Sequence, residues 1–247
     1  MSTERMTFEG HAGPLAAKLE RPEGPVRVAV LFLHAFTGDK DMLAVARIAR
    51  ALAARGAAVL RFDATGLGES RGDFAKTGLR SWLADALAAA AALERAARAP
   101  DFVAGLSLGG TVALAAAARL PSARGAAALN APERPAHLLS VLPGLDAVRR
   151  HGAAPVEVAG RRVRLGAGLL EELAADDPAA ELSAAGKSLL LLHAPADDIV
   201  PFAEAERLFA RHAGPKRLVR LEGGDHLLSV RTVAETAAAE LASWAGL

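Results

Sequence analysis

One stretch of about twenty residues limits what this chain can fold into more than any other. Residues 101–120 read DFVAGLSLGGTVALAAAARL. The apolar run 102–104 predicts a buried strand that stops at Gly105, and the alanine-rich run after Gly110 predicts a helix. Between them lies the pattern G-x-S-x-G, centred on Ser107. A strand before this pattern and a helix after it make it specific for a sharp turn that carries a nucleophile.

The physical basis of this prediction is steric. The chain must reverse direction within a few residues, which places Ser107 at the apex in a strained backbone conformation. Gly105 and Gly109 lie two residues on either side, where a side chain would clash across the turn. The serine hydroxyl is then exposed at the N-terminus of a helix, whose dipole favours developing negative charge. We therefore predict that Ser107 is a nucleophile; the alternative is a glycine-rich turn with an incidental serine.

Strands and helices alternate along much of the chain, which predicts a mostly parallel, doubly wound α/β sheet. An N-terminal hairpin is expected within residues 1–20. The clearest strand is VRVAVLFLH, whose continuous apolar run is typical of a strand covered on both faces. The remaining predicted strands are 57–63, 125–130, 188–193 and 217–221, and the predicted helices are 40–55, 81–98, 202–212 and 232–244.

The alternation breaks between residues 131 and 187, here named the cap segment. It contains several prolines and a predicted hairpin, VEV to VRL, followed by a helix near 169–175. Because it is short and flanked by core strands, we predict one domain, residues 1–247, with the cap segment inserted. Some of its apolar residues are expected to line an acyl pocket. These are Leu138, Leu139, Val141, Leu142, Leu169, Leu170 and Leu173.

Composition excludes several classes of function. The chain has 247 residues, a net charge of +1, 52% hydrophobic residues and no cysteine. The absence of cysteine excludes disulfides and thiol chemistry. The chain also lacks a basic cluster interleaved with aromatic residues, so nothing in it indicates nucleic-acid binding. The group Arg161-Arg162-Arg164 is interpreted as a solvated turn. No cofactor-binding or metal-ligand pattern occurs, so no cofactor or metal is expected.

The sequence MSTERMTFEG at the N-terminus has no apolar signal core, and no apolar run is long enough to span a bilayer. We therefore expect a cytoplasmic protein that does not associate with membranes.

A serine nucleophile needs a base, and the base needs an acid that fixes its tautomer. In a parallel sheet these groups lie on loops at the carboxyl ends of strands. The loop after SLLLLH contains Asp197 and Asp198, and the loop after RLVRLE contains His226. His226 is the predicted base. Either aspartate fits as the acid, because adjacent side chains point in opposite directions, whereas Asp225 would have to fold back.

The other histidines receive structural interpretations. His34 and His193 end core strands and are expected to orient loops. The remaining four, His11, His137, His151 and His212, are expected to be solvated.

A tetrahedral intermediate also needs backbone N–H donors for its oxyanion. Leu108 supplies one donor, directly after Ser107. The loop His34-Ala35-Phe36-Thr37-Gly38 supplies the other, for which we predict the N–H of Phe36. The alternative for this loop is a plain strand-to-helix turn.

Five stretches together make the chain resemble the α/β-hydrolase superfamily over essentially its full length: HAFTG, RFDATGLGES, GLSLGG, ADDIVP and GGDH. The resemblance implies that the acid is Asp197, three residues before the valine of its segment. It also supports Phe36 and Leu108 as oxyanion donors. Longer matches, such as VLRFDATGLGESRGDF, resemble the hydrolase half of proteins that fuse it to an OsmC-type peroxide-reducing domain. That domain works through cysteines, so we expect neither it nor peroxidase activity here.

The sequence as a whole predicts a serine hydrolase that cleaves an ester-like acyl bond through an acyl-enzyme intermediate. The expected partner is a small to medium acyl substrate. Two alternatives stay open at this point. One is acyl transfer or cofactor-free perhydrolysis by the same residues, and the other is a non-catalytic binding module on this fold.

Overall fold

Ten strands and nine α-helices make up the computed structural model, which describes all 247 residues. The strands are β1 (Ser2–Gly10), β2 (Gly13–Arg21), β3 (Val28–Leu33), β4 (Ala57–Phe62), β5 (Phe102–Leu106), β6 (Gly125–Leu129), β7 (Ala153–Val158), β8 (Arg161–Gly166), β9 (Ser188–His193) and β10 (Lys216–Arg220). The helices are α1 (Leu43–Ala53), α2 (Leu79–Ala96), α3 (Leu108–Arg119), α4 (Leu138–Val141), α5 (Leu145–His151), α6 (Ala167–Ala175), α7 (Pro178–Ala184), α8 (Phe202–Arg211) and α9 (Arg231–Ala245).

Eight strands form one sheet in the order β1-β2-β4-β3-β5-β6-β9-β10. The six strands from β4 to β10 pair in parallel, and β2 joins the antiparallel hairpin β1–β2 to the edge of β4. The predicted mostly parallel sheet with an N-terminal hairpin is therefore confirmed. Parallel strands end at a common edge, so the loops after β3, β5, β6, β9 and β10 lie near one another.

Both faces of the sheet are covered because successive side chains of each central strand point to opposite sides. In β3, Ala29, Leu31 and Leu33 belong to a core of 45 buried residues. The intervening side chains of this strand belong to a second core of 28 buried residues on the other face. Helices α2 and α3 contribute to the first core, and α1 and α9 to the second. This two-sided burial explains why the strand sequences are continuously apolar.

Strand β5 differs from its predicted extent. It does not stop at Gly105 but continues to Leu106, since Gly105 is paired with Leu33 on one side and Ala128 on the other. Pairing with both neighbouring strands holds Gly105 in an extended conformation, which glycine does not favour by itself. The turn thus begins directly at Ser107.

The cap segment runs from the end of β6 to the start of β9 and contains α4 to α7 and the predicted hairpin. Val156 of β7 pairs with Val163 of β8. The two residues between the strands, Ala159 and Gly160, both have positive φ, as a tight two-residue hairpin turn requires. Helices α4, α5 and α7 have seven residues or fewer, too short to show a helical period in the sequence. Treating the cap segment as an insertion into one domain stays a prediction.

None of the helices is both long and apolar enough to cross a membrane.

Candidate active site

The turn between β5 and α3 holds Ser107 in the conformation expected from its glycines. Its φ is 55° and its ψ is −125°, a region that residues other than glycine rarely occupy. A Cβ on Gly105 would overlap the backbone of Gly109, and a Cβ on Gly109 would overlap the carbonyl of His34. The N–H of Ser107 donates to the carbonyl of Leu129 at 2.8 Å, which anchors the turn to β6. Close backbone packing on three sides therefore maintains the strain.

Ser107, His226 and Asp197 are joined by two hydrogen bonds, although 119 and 29 residues separate the bonded pairs. His226 Nε2 lies 3.0 Å from Ser107 Oγ, and His226 Nδ1 lies 2.8 Å from Asp197 Oδ2. A carboxylate accepts only, so Nδ1 carries the proton and Nε2 is free to accept the hydroxyl proton. The arrangement is that of a base poised beside a nucleophile.

The structure distinguishes the two adjacent aspartates. The side chain of Asp197 is fully buried, and its Oδ1 accepts hydrogen bonds from the N–H groups of Ile199 and Val200 at 2.9 and 2.8 Å. Asp198 is exposed and forms no hydrogen bond or ion pair with His226. Asp225 instead accepts hydrogen bonds from the N–H and hydroxyl of Ser229, which positions the loop that carries His226.

The loop after β3 forms a tight turn, since the N–H of Gly38 donates to the carbonyl of Ala35 at 2.9 Å. The N–H of Phe36, within this turn, has no acceptor in the protein. Leu108 is the first residue of α3, a position whose N–H has no partner inside the helix. Phe36 lines the pocket beside Ser107. Both predicted oxyanion donors are thus N–H groups that remain available to a ligand.

His34 and His193 hold loops, as the sequence predicted. His34 Nδ1 donates to the carbonyl of Ala35, and Nε2 accepts from the N–H of Ala64. His193 Nε2 donates to the carbonyl of Val200, within the loop that carries the acid. Burial lowers the pKa of both imidazoles, against the raising effect of their backbone hydrogen bonds. Each is therefore neutral at pH 7, the state that His34 Nε2 needs in order to accept from Ala64.

Two of the histidines expected to be solvated are not. His212 is buried and Nε2 bonds the carbonyl of Lys187, while His137 Nε2 bonds the carbonyl of Ile199. Their partners come from distant segments and leave no local sequence signal. The interpretation of Arg161 as part of a solvated turn is also incomplete, because its guanidinium donates hydrogen bonds to the loop after β3.

Asn130 is a site residue that the sequence analysis missed. It follows β6, is fully buried and has a positive φ of 46°. Its Nδ2 donates to the carbonyls of Asp225 and His226 at 3.0 and 2.9 Å, and its Oδ1 accepts from the N–H of Ala194 at 2.8 Å. One amide thus ties the loop of the base to the loop of the acid. Its only sequence signal is an asparagine directly after a core strand.

An apolar pocket of about 260 Å³ opens beside Ser107 and His226. Ten of its fourteen lining residues are hydrophobic, and Glu157 is its only carboxylate. Among the seven apolar cap residues predicted to contribute, Leu138, Val141 and Leu142 line this pocket. The three leucines of α6, Leu169, Leu170 and Leu173, are buried in the first core instead. The cap segment's share of the pocket wall therefore comes from α4, the two residues after it and the hairpin, and the loops after β3, β9 and β10 supply the rest.

The parallel sheet, the strained serine turn and the hydrogen-bonded Ser-His-Asp set define an α/β-hydrolase. The family model described as serine aminopeptidase, S33, matches residues 24–149. The esterase domain of a Rhodothermus marinus protein is 38% identical, with a TM-score of 0.81, over 99% of this chain and 98% of that one. This protein belongs to the α/β serine hydrolase family and is an esterase-like enzyme, as predicted.

Other similar structures share the fold at lower identity. Est1E from Butyrivibrio proteoclasticus is 20% identical, with a TM-score of 0.79 over 96% of both chains. A Xanthomonas campestris α/β serine hydrolase described as lacking a lid is also 20% identical, with a TM-score of 0.68 over 100% of this chain and 97% of that one. No curated protein matches the sequence. The narrower resemblance to OsmC-fused hydrolases stays a prediction.

Replacement of Asn130 by alanine should lower both stability and activity. It leaves the buried N–H of Ala194 and the partly buried carbonyls of Asp225 and His226 without their partner, and an unsatisfied buried group costs about 1–3 kcal/mol. Displacement of the acid and base by even ~1 Å can cost about 100-fold in rate. The measurements are kcat/KM on a p-nitrophenyl ester and the free energy of unfolding in urea. Asn130→Gly is the control, since glycine tolerates the positive φ but also lacks the amide. Wild-type kcat/KM in both variants would show that the two loops hold the triad without Asn130.

Proposed function

We propose that this enzyme hydrolyses carboxylic esters of small to medium acyl groups, with Ser107, His226 and Asp197 as its catalytic triad. The observation that carries the proposal is the unbroken hydrogen-bond chain from a buried carboxylate, through an imidazole, to a serine on a strained turn. The hydroxyl of that serine borders an apolar pocket, which suits an acyl chain.

In the proposed first step, Ser107 Oγ attacks the ester carbonyl while its proton passes to His226 Nε2. Asp197 stabilises the resulting imidazolium and keeps its Nδ1–H directed at the carboxylate. The carbonyl oxygen becomes an oxyanion that accepts hydrogen bonds from the N–H groups of Phe36 and Leu108. Collapse of the intermediate breaks the bond to the alcohol, which takes its proton from His226 and leaves an acyl-serine.

In the second step, water enters the position vacated by the alcohol and gives its proton to His226 Nε2. Its oxygen attacks the acyl-serine, a second oxyanion forms in the same place, and the bond to Ser107 Oγ breaks as His226 returns the proton. The products are a carboxylic acid, an alcohol and the original enzyme. The only charged groups required are the triad's own.

Acyl transfer and perhydrolysis use the same acyl-serine and differ only in which nucleophile replaces water. No feature of the pocket favours either over hydrolysis. Product analysis in the presence of an added alcohol or peroxide distinguishes them, because a transfer enzyme forms a new ester or peracid in preference to the free acid.

Ser107→Ala should retain the fold and lose esterase activity. Removal of a serine nucleophile costs about 10⁶-fold in kcat where the triad has been dissected. The measurement is turnover of p-nitrophenyl butyrate, with far-UV circular dichroism and Tm as checks of folding. Alanine is smaller than serine and removes no structural hydrogen bond other than that to His226. Turnover near the wild-type value in a folded variant would refute the proposed mechanism.

Asp197→Asn should be far more damaging than Asp198→Asn. The amide cannot hold His226 in the required tautomer, an error worth about 10⁴-fold. Asp198 is exposed and bonds neither Ser107 nor His226, so Asp198→Asn should keep kcat/KM near the wild-type value and change the free energy of unfolding by less than about 0.5 kcal/mol. Both variants remove one negative charge, at neighbouring positions, so a comparison of their kcat/KM values isolates the contact with His226. A larger loss in Asp198→Asn would mean that the acid is misassigned.

The dependence on acyl length should pass through a maximum. Each methylene that enters the pocket adds up to about 0.8 kcal/mol, roughly fourfold in kcat/KM, until the pocket is full. We expect kcat/KM to rise from p-nitrophenyl acetate to butyrate or octanoate and to fall at palmitate. Val141→Trp places a larger side chain on the pocket wall and should move the maximum to shorter chains. A value that still rises at palmitate would refute the size limit while leaving the triad intact.

A further inference from the structure

One side chain joins the cap hairpin to the loop that carries Phe36. Arg161 is the first residue of β8. Its Nη1 donates to the carbonyl of Thr37 and its Nη2 donates to Asp39 Oδ2, both at 3.0 Å. Arg162 and Arg164 lie on the same strand, and neither forms a hydrogen bond or ion pair through its side chain. Only one of the three neighbouring arginines is therefore used to bridge the two segments.

The residue whose carbonyl Arg161 binds is held in an unfavourable conformation. Thr37 is the third residue of the turn Ala35–Gly38 and has a φ of 59°. A turn of type II requires positive φ at this position, which is normally occupied by glycine or asparagine. A β-branched residue there is a steric outlier and persists only where surrounding contacts hold it. Arg161 supplies such a contact directly to the strained residue.

The same turn carries the N–H of Phe36, the proposed second oxyanion donor. We propose that Arg161 is a positioning residue that holds the turn of residues 35–38 in the conformation that presents this N–H to the oxyanion. The proposal rests on the proposed esterase function. It also links the pocket to the chemistry, because Val158 and Ala159 of the same hairpin line the pocket.

Arginine is suited to this role for a geometric reason. Its planar guanidinium donates to a carbonyl and a carboxylate at once, whereas a lysine ammonium is a point charge on a flexible chain. The side chain of Arg161 is 53% exposed, and exposed ion pairs contribute little to stability. A role in catalysis therefore predicts a loss of kcat larger than the change in Tm would suggest.

The first test compares Arg161→Ala with Arg162→Ala and Arg164→Ala. We expect kcat of Arg161→Ala to fall about tenfold, less than the roughly 100- to 1,000-fold that loss of an entire oxyanion donor costs. KM should change little, and the loss should be equal for p-nitrophenyl acetate and butyrate. A defect in the pocket alone would instead raise KM and grow with acyl length. Arg162→Ala and Arg164→Ala should retain wild-type kcat, and Arg161→Lys should lie between the wild type and Arg161→Ala.

The second test is rescue. Glycine adopts positive φ without strain, so Thr37→Gly in the Arg161→Ala background should recover most of the lost kcat. The kcat is expressed per folded enzyme and measured well below Tm. A purely structural role for Arg161 then predicts a lower Tm in Arg161→Ala but no deficit in kcat for Thr37→Gly to restore. If Arg161→Ala does not fold, Arg161→Lys with and without Thr37→Gly provides the same comparison.

Wild-type kcat in Arg161→Ala, or a loss confined to KM, would overturn the proposal, as would failure of Thr37→Gly to restore kcat. Ser107→Ala shows whether a negative result concerns Arg161 alone or the proposed esterase function. If Ser107→Ala abolishes turnover while Arg161→Ala leaves kcat unchanged, only the role of Arg161 is refuted. If Ser107→Ala retains turnover, the proposed esterase mechanism itself is refuted.

Discussion

Close backbone contact at the turn between β5 and α3 is the constraint on which the rest of the site depends. A serine with positive φ is unfavourable by itself and requires neighbours that leave it no alternative. Gly105 and Gly109 allow the turn to close, and the carbonyl of His34 lies where a side chain on Gly109 would be. The loop after β3 is thereby pressed against the serine turn. One contact therefore positions both Ser107 and the loop of Phe36.

A second layer of hydrogen bonds fixes the remaining loops at the same sheet edge. His34, Asn130 and His193 each end or follow a core strand, and each bonds backbone groups of a loop that carries or borders Ser107, Asp197 or His226. Because these side chains are buried, their bonds are shielded from water and their loss would leave unsatisfied polar groups. Loops are generally more mobile than strands, and here side chains at the strand ends attach the loops to the sheet.

The cap segment supplies part of the apolar wall of the pocket and, through Arg161, a polar contact to the loop after β3. Its apolar residues divide between the pocket and the core. The leucines of α6 join the first core and attach the segment to α2 and the sheet, whereas α4 and the hairpin remain over the active site. Only a small part of the inserted segment therefore borders the pocket, and the rest serves to anchor it.

The sequence by itself determined the features that arise within one short stretch of chain. The alternation of apolar strands with helices and the strained turn at Ser107 both follow from local pattern and steric limits. The candidate acid and base were found because they directly follow predicted strands. Residues alone left Asp197 and Asp198 equivalent, and only a family resemblance separated them. Tertiary structure decided that Asp197 is buried against His226, that Asn130 joins two loops and that Arg161 reaches Thr37. Each of these is a contact between segments distant in sequence, formed only when the parallel strands bring their ends to one edge.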